Sequence, residues 1–146
     1  MPLDPSYAGR TYPGRSYEVG REKIRDFVEA IGATDPAYLD PEAARVLGHP
    51  DVIAPPTFPI VLTGPGTRAM IDDPGLGLDF SRVVHGDQRF RYTRPVRAGD
   101  RLVCTTTIEE ITSRVGNDFL TARTDMATDE GEPVVTAWTM FVVRGE

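Results

Sequence analysis

The spacing of apolar residues changes several times along the chain, and each change predicts a new element. A loose alternation from Tyr12 to Val19 predicts a short first strand. The period then lengthens, and four apolar residues recur at the spacing of one helical face: Ile24, Phe27, Val28 and Ile31. Gly32 follows at the position where a glycine commonly ends a helix, so the first helix is expected to stop there.

Two further helices are predicted before the middle of the chain. The segment Asp40–Gly48 opens on a capping aspartate and a proline suited to the first helical position. The segment Pro55–Leu62 is apolar nearly all round, which predicts a buried helix with Thr57 as its cap. Gly64-Pro65-Gly66 interrupts that pattern, so we expect a kink or a break there and a restart over Arg68–Ile71.

The second half of the chain is rich in residues that favour strands. Four such runs stand out: 82–94, 100–113, 118–128 and 134–144. The turn sequences that separate them have lengths typical of hairpins: Ala98-Gly99, Gly116-Asn117 and Asp129-Glu130-Gly131. The pattern therefore predicts an antiparallel meander of four strands.

This order of elements indicates a single α+β domain over residues 1–146, with residues 1–11 irregular. A helix with no polar side cannot face water, so the antiparallel sheet must wrap around the Pro55–Leu62 helix. An antiparallel sheet wrapped around a central apolar helix is the geometry of a hot-dog domain. The middle of the chain is also unusual, because residues 32–77 hold eight of the 13 prolines and six of the 14 glycines.

Composition excludes several classes of protein. The chain has 22 acidic and 16 basic residues, and its net charge of −6 argues against a nucleic-acid partner. No apolar run approaches the ~20 residues that a membrane span needs, and the N-terminus shows no signal peptide, so a cytoplasmic setting is expected. The single cysteine, Cys104, shares a strand face with Leu102 and Ile108, which predicts a packed core thiol rather than a nucleophile.

Candidate chemistry is sparse. His49 and His85 have no metal-like spacing with other ligands, so no metal site is expected, and His49 is interpreted as a surface residue. His85 and Asp87 are two residues apart in a strand, which places them on one face as a candidate proton-transfer pair, or as residues of a subunit interface. Gly86 between them indicates a bulge or a close backbone approach, and Gln88 is expected on the other face.

Four segments together resemble a known family. Arg94–Asp100 looks like the Pro-x-x-Ala-Gly-Asp turn of hot-dog proteins, and Gly32–Tyr38 resembles the catalytic segment of MaoC-like (R)-specific hydratases and dehydratases. Ile53–Phe58 and the His-Gly-Asp-Gln run at 85–88 look closest to the A-type subunits of actinobacterial (3R)-hydroxyacyl-ACP dehydratases. The resemblance covers about residues 12–143.

The departures from the family pattern concern catalysis. Where active members have a catalytic Asp and His, this sequence has Ala33 and Tyr38, and Asp35 stands where the family has Asn. Pro56 matches the residue whose backbone N–H polarises the thioester carbonyl in the family, and proline has no N–H. Alanine accepts no proton, and tyrosine, with an ordinary pKa of about 10, is a poor base at neutral pH. No catalytic residue is therefore expected, and the chain should be inactive alone.

The resemblance implies a way for such a chain to function. It implies a subunit of a (3R)-hydroxyacyl-thioester dehydratase that binds the acyl chain of an acyl-CoA or acyl-ACP, while a partner hot-dog subunit supplies the Asp and His. It implies no cofactor. The residues expected to contact substrate are Tyr38, Thr57, Phe58, His85 and Gln88.

Two alternatives remain open from the sequence. One is a homodimer that binds an acyl thioester without chemistry. The other is a stand-alone hydratase that uses His85 with Asp87, or Asp35 with Tyr38. A hot-dog thioesterase is disfavoured, because residues 53–71 contain no carboxylate for the central helix. Each of these hypotheses expects at least a dimer, since a single sheet leaves a strand edge open.

Overall fold

The computed structural model describes residues 2–146. Three α-helices form at α1 (Arg21–Ile31), α2 (Pro41–Val46) and α3 (Gly64–Ile71). Five strands form at β1 (Thr11–Glu18), β2 (Val83–Tyr92), β3 (Arg101–Arg114), β4 (Asn117–Thr128) and β5 (Pro133–Val143). These bounds confirm the α+β class and agree closely with the runs read from the sequence. Gly32 ends α1 in the left-handed conformation, with a φ of 69°, as its position predicted.

The strands form one antiparallel sheet in the order β1-β3-β4-β5-β2. The predicted four-strand meander is therefore wrong in one respect. Strands β3, β4 and β5 form a meander, but β2 pairs with β5 at the far edge instead of joining β3 through a hairpin. The segment between β2 and β3 crosses the sheet from the β2 edge, past β5 and β4, to β3. Arg97 of this segment forms an isolated bridge with Ile53. Strand-forming composition does not reveal this order.

The central helical segment packs against strands β1, β3 and β5 of the sheet. It begins as a 3-10 helix over Phe58–Thr63 and continues directly as α3. Instead of a break and a restart at Arg68, the helix type changes at Gly64, and Pro65 is tolerated because it occupies the first turn of α3. The expected cap is also wrong, since the Thr57 side chain makes no capping hydrogen bond among the described residues.

The core has two halves, one at each end of the central helical segment. Phe58 and Leu62 pack with α1 in the first half, and Met70 packs in the second. Residues 1–11 were expected to be irregular, but part of that stretch is ordered: Pro5–Tyr7 forms a short 3-10 helix. Leu3 is buried in the second half of the core, and its N–H donates to the Asp118 carboxylate at 2.8 Å.

Close packing of α3 on the sheet depends on Gly66, and we expect Gly66→Ala to destabilise the fold. A methyl group there would lie 1.9 Å from the Thr106 hydroxyl oxygen of β3. Overpacking of this kind costs about 1–3 kcal/mol in the free energy of unfolding, measurable by urea denaturation. Gly64→Ala is the matched control in the same helix: within residues 2–146 nothing lies within 4 Å of the added methyl. Equal effects of the two substitutions would contradict this packing.

Candidate functional site

Two of the positions that replace family catalytic residues meet at one cavity. Tyr38 lies at the end of a short 3-10 helix, Pro36–Tyr38, and Pro56 lies two residues before the central helical segment. Together with Tyr92 of β2 they line an apolar cavity of about 320 Å³, here called the tyrosine cavity. Its full lining comprises Tyr38, Ile53, Ala54, Pro56, Tyr92, Thr93, Arg94 and Pro95.

One hydrogen bond joins two elements that line the tyrosine cavity. The Tyr92 hydroxyl donates to the Pro56 carbonyl at 2.6 Å. Burial, with a smaller contribution from Tyr38, raises the pKa of Tyr92 well above its ordinary value, so its hydroxyl stays protonated at neutral pH. Pro56 therefore offers no N–H at the position where the family polarises a thioester, and its carbonyl accepts the Tyr92 hydroxyl.

The remaining replaced positions carry structural roles. Ala33 packs against the first half of the core, and its N–H donates to the Val28 carbonyl at 3.0 Å beyond the end of α1. The Asp35 carboxylate accepts the Ala37 N–H at 3.0 Å and caps the Pro36–Tyr38 helix. A carboxylate used as a cap is poorly placed as a base for Tyr38.

The predicted His85–Asp87 pair is wrong, because a bulge at Gly86 separates the two side chains. His85 pairs with Phe141 of β5 while Asp87 pairs with Met140, so Gly86 has no cross-strand partner of its own. Neighbouring residues of β5 face opposite sides of the sheet, and so do the residues opposite them. His85 therefore faces the central helical segment and Asp87 faces outward. The bulge itself was indicated by Gly86 and is confirmed.

The bulge also places Gln88 on the inner face with His85, not opposite to it as expected. Gln88 Oε1 accepts a hydrogen bond from the Thr139 hydroxyl at 2.8 Å. Gln88 Nε2 is buried and has no hydrogen-bond partner among the described residues. His85 and Thr139 both line a second cavity of about 430 Å³ between the central helical segment and the β2–β5 edge, here called the histidine cavity.

The other two expected substrate contacts lie elsewhere. Phe58 is fully buried and packs edge-on against Phe27, with ring centroids 5.5 Å apart. It belongs to the core and lines neither the tyrosine cavity nor the histidine cavity. Thr57 is exposed beside Pro56 and lines neither cavity. Sequence reasoning missed Tyr92 and Thr139, whose positions depend on which strands are neighbours.

Arg94 lines the tyrosine cavity, and its guanidinium is held in place by two acidic residues. Its guanidinium makes two hydrogen bonds of 2.9 Å to Asp100 and one of 2.8 Å to Glu132. The hydrogen bond to Asp100 is the largest cause that raises the pKa of Arg94 above its ordinary value, although burial opposes it. Asp100 also accepts the Arg97 N–H at 2.9 Å. This clamp explains why the Arg94–Asp100 turn has an aspartate at its end.

Cys104 is a core thiol, as predicted, and we expect it to be unreactive in the folded protein. It is buried, and burial raises the pKa of its thiol to about 11. The thiolate is the reactive form, so at pH 8 little of it exists and attack is also blocked sterically. A thiol reagent at pH 8 should label it slowly when folded and fully in denaturant. Rapid labelling of the folded protein would contradict this placement.

Possible metal ligands and membrane-spanning helices were also considered for the residues that the structure describes. Residues 2–146 hold no group of three or more His, Cys, Asp or Glu side chains able to bind a metal ion. In the part of the chain that the structure describes, no helix is long and apolar enough to cross a membrane.

Comparison with known proteins agrees with this description. The profile of the FAS1-like dehydratase domain region matches residues 6–137. The UPF0336 protein of Streptomyces coelicolor is 61% identical over 145 residues, which cover 99% of this chain and 97% of the relative.

Solved structures give the same result. A chain of the C-terminally truncated HadBC (3R-hydroxyacyl-ACP dehydratase) complex from Mycobacterium tuberculosis is 30% identical, with a TM-score of 0.87 over 97% of this chain and 99% of that one. A MaoC-like dehydratase is 28% identical, with a TM-score of 0.88 over 96% of this chain and 43% of that one. This chain therefore belongs to the MaoC-like hot-dog family of hydratases and dehydratases.

Proposed function

We propose that this chain is the non-catalytic subunit of a (3R)-hydroxyacyl-thioester dehydratase, which also works in reverse as a 2-enoyl-thioester hydratase. The observation that carries the proposal is the tyrosine cavity. It is lined by Tyr38 and Pro56, which match the family's catalytic His and its oxyanion donor, and the nearby Asp35 carboxylate serves as a helix cap. The cavity keeps the shape of a binding site without an acid–base pair.

The exposed edge of the sheet supports assembly with a second subunit. Strands β1 and β2 are the two edges. Edge β1 is interrupted by Pro13 and by an irregular register between Tyr12 and Arg15, both of which hinder pairing with another chain. Edge β2 has ten residues and no proline, and beyond its own bulge at Gly86 the register is regular from Asp87 to Tyr92. We infer that β2 pairs with a partner hot-dog subunit, which brings the partner's dyad to this side of the molecule.

The partner supplies the chemistry and this chain supplies a wall for the substrate. Dehydration removes a proton from the carbon next to the thioester carbonyl and protonates the leaving hydroxyl, and hydration reverses both transfers. A partner with the family Asp and His performs both proton transfers. This chain binds the apolar acyl part of a CoA or ACP thioester through surfaces such as the tyrosine cavity, where apolar contact stabilises the ligand.

Co-expression with a dyad-bearing MaoC-like chain of the same genome tests the proposal. We expect the two chains to co-purify through a tag on one of them, and the complex to hydrate crotonyl-CoA or a longer 2-enoyl-CoA. This chain alone should show no hydration. The proposal fails if no complex forms and the partner is equally active without this chain. A stable homodimer that binds acyl-CoA without turnover would instead support a non-catalytic binding protein.

A further inference from the structure

We infer that the outer face of β2 selects a partner strand with carboxylate side chains and disfavours a second copy of this chain. The inference rests on the proposed function for the role of β2 as the edge that meets a partner. Alternate side chains of a strand share one face, so Arg89 and Arg91 lie on the outer face of the sheet with Asp87. A partner strand that pairs with β2 would meet these two arginines.

Trp138 of β5 holds both guanidinium groups at this edge. The central carbon of each guanidinium lies 5.0 Å from the centroid of the Trp138 ring, a cation–π contact for Arg89 and for Arg91. Trp138 Nε1–H donates to Glu109 of β3 at 2.9 Å, which orients the ring. Two positive charges are therefore kept close together beside the open edge of the sheet.

The carboxylates of this chain leave the two arginines largely unneutralised. Asp87 Oδ2 lies 4.0 Å from Arg89 Nε, and both side chains are more than half exposed. Arg91 forms no ion pair within residues 2–146. The carboxylates further along this face, on β3 and β4, pair with Arg123 instead. A carboxylate on an incoming strand would therefore gain a charged partner here.

The backbone of β2 restricts the registers that an incoming strand can adopt. Just beyond β2, the Thr93 N–H donates to the Val134 carbonyl at 2.8 Å, so every second residue before Thr93 also bonds to β5. The residues between them, Gln88, Phe90 and Tyr92, direct their N–H and C=O groups to the open edge. An antiparallel strand therefore bonds to these three residues.

A second copy of this chain uses all three residues only with its arginines opposed. In that register Phe90 lies opposite the Phe90 of the copy, and Arg89 lies opposite the copy's Arg91, twice by symmetry. A shift toward Tyr92 loses one bonded position and puts Arg91 opposite itself. A shift toward the bulge also loses one; it pairs Arg91 with the copy's Asp87 but puts Arg89 opposite itself. Like charges directly opposite each other destabilise a strand pair, so a partner with Asp or Glu at these outer positions pairs more tightly than a copy.

Charge reversal in one of two copies tests the inference on this chain alone. The variant Arg89→Glu/Arg91→Glu should self-associate weakly, as the wild type does, because its glutamates then oppose each other. A mixture of the two forms places Arg opposite Glu in both pairs. It should associate at least about 4-fold more tightly at low salt than either form alone, and the difference should shrink as salt rises. Sedimentation velocity with one form fluorescently labelled gives the three dissociation constants.

Lys23→Glu/Arg25→Glu is the matched control, because it makes the same change of charge at exposed positions of α1. Its mixture with the wild type should be no tighter than the wild type alone. If Arg89→Glu/Arg91→Glu fails to fold, Arg89→Gln/Arg91→Gln removes the repulsion and should self-associate more tightly than the wild type. The inference is overturned if charge reversal strengthens the mixture no more than the control does.

The complex with a dyad-bearing partner is measured separately. Arg89→Glu/Arg91→Glu should weaken that complex by a similar factor, and the control variant should not. A wild-type complex that forms and hydrates 2-enoyl-CoA, with an affinity that charge reversal leaves unchanged, overturns this inference alone. Absence of any wild-type complex counts against the proposed function instead, and the mixture of the two forms still decides whether charge governs pairing at β2.

Discussion

Substitution of the dyad histidine in the partner is expected to lower the hydration rate of the complex by about 10²–10⁴-fold, the usual contribution of general acid–base catalysis. Tyr38→Phe or Asp35→Asn in this chain should change the rate by less than about 3-fold, because neither group has a proton-transfer role. The Asp35 carboxylate caps a helix, and Tyr38 keeps its ring in the tyrosine cavity after its hydroxyl is removed. Steady-state hydration of crotonyl-CoA by the purified complexes gives both comparisons.

The informative result is the difference in rate loss between a substitution in the partner and a substitution in this chain. A 100-fold loss on Tyr38→Phe would assign proton transfer to this chain and contradict the proposed division of roles. His85→Phe provides a further check, because His85 and Asp87 lie on opposite faces of the sheet. It should leave the chemical step intact.

Arg94→Gln should destabilise the folded chain by about 3–5 kcal/mol, because the buried Asp100 carboxylate loses both hydrogen bonds from its closest charged partner and keeps only Arg97, whose Nε lies 3.9 Å away. The Asp100 side chain is 6% exposed and that of Arg94 is 15% exposed, so water replaces the lost contacts poorly. The same substitution removes the link from Arg94 to Glu132 in the β4–β5 turn. Urea denaturation followed by circular dichroism measures the change.

Arg101→Gln is the matched control for this prediction. Arg101 pairs with Glu18 at 3.7 Å, and both side chains are more than half exposed. Exposed pairs contribute about 0–1 kcal/mol, so the control should unfold at nearly the same urea concentration as the wild type. A similar small loss for Arg94→Gln would show that the clamp is not a main support of the tyrosine cavity.

Local pattern was sufficient to predict most elements of this fold. The apolar spacing in α1 and the glycine after it depend on neighbours in the sequence, and so do the strand runs of the second half. The position of β2 beside β5 does not depend on sequence neighbours, because composition alone does not say which strand a run will pair with. For the same reason the sequence did not indicate Tyr92 and Thr139 as lining residues, since both reach their cavities through the pairing of β2 with β5.

Only part of the candidate site could be anticipated from the sequence, since Thr57 and Phe58, two of the expected substrate contacts, line neither cavity. Ala33, Tyr38 and Pro56 were identified by resemblance, and Tyr38 and Pro56 do meet at one cavity. The alternation of a regular strand put His85 with Asp87, whereas a single extra residue at Gly86 reverses that relation. A glycine in a strand indicates that such a bulge is possible, but only the cross-strand register shows which side chain it turns inward.

Titration of this chain into a fixed concentration of a dyad-bearing partner tests the central claim most directly. The initial rate of 2-enoyl-CoA hydration should rise with added chain and reach a plateau at equal molar amounts of the two subunits. The chain alone should give no rate at any concentration. A rate that does not respond to the added chain, or hydration by the chain in the absence of the partner, would contradict the account.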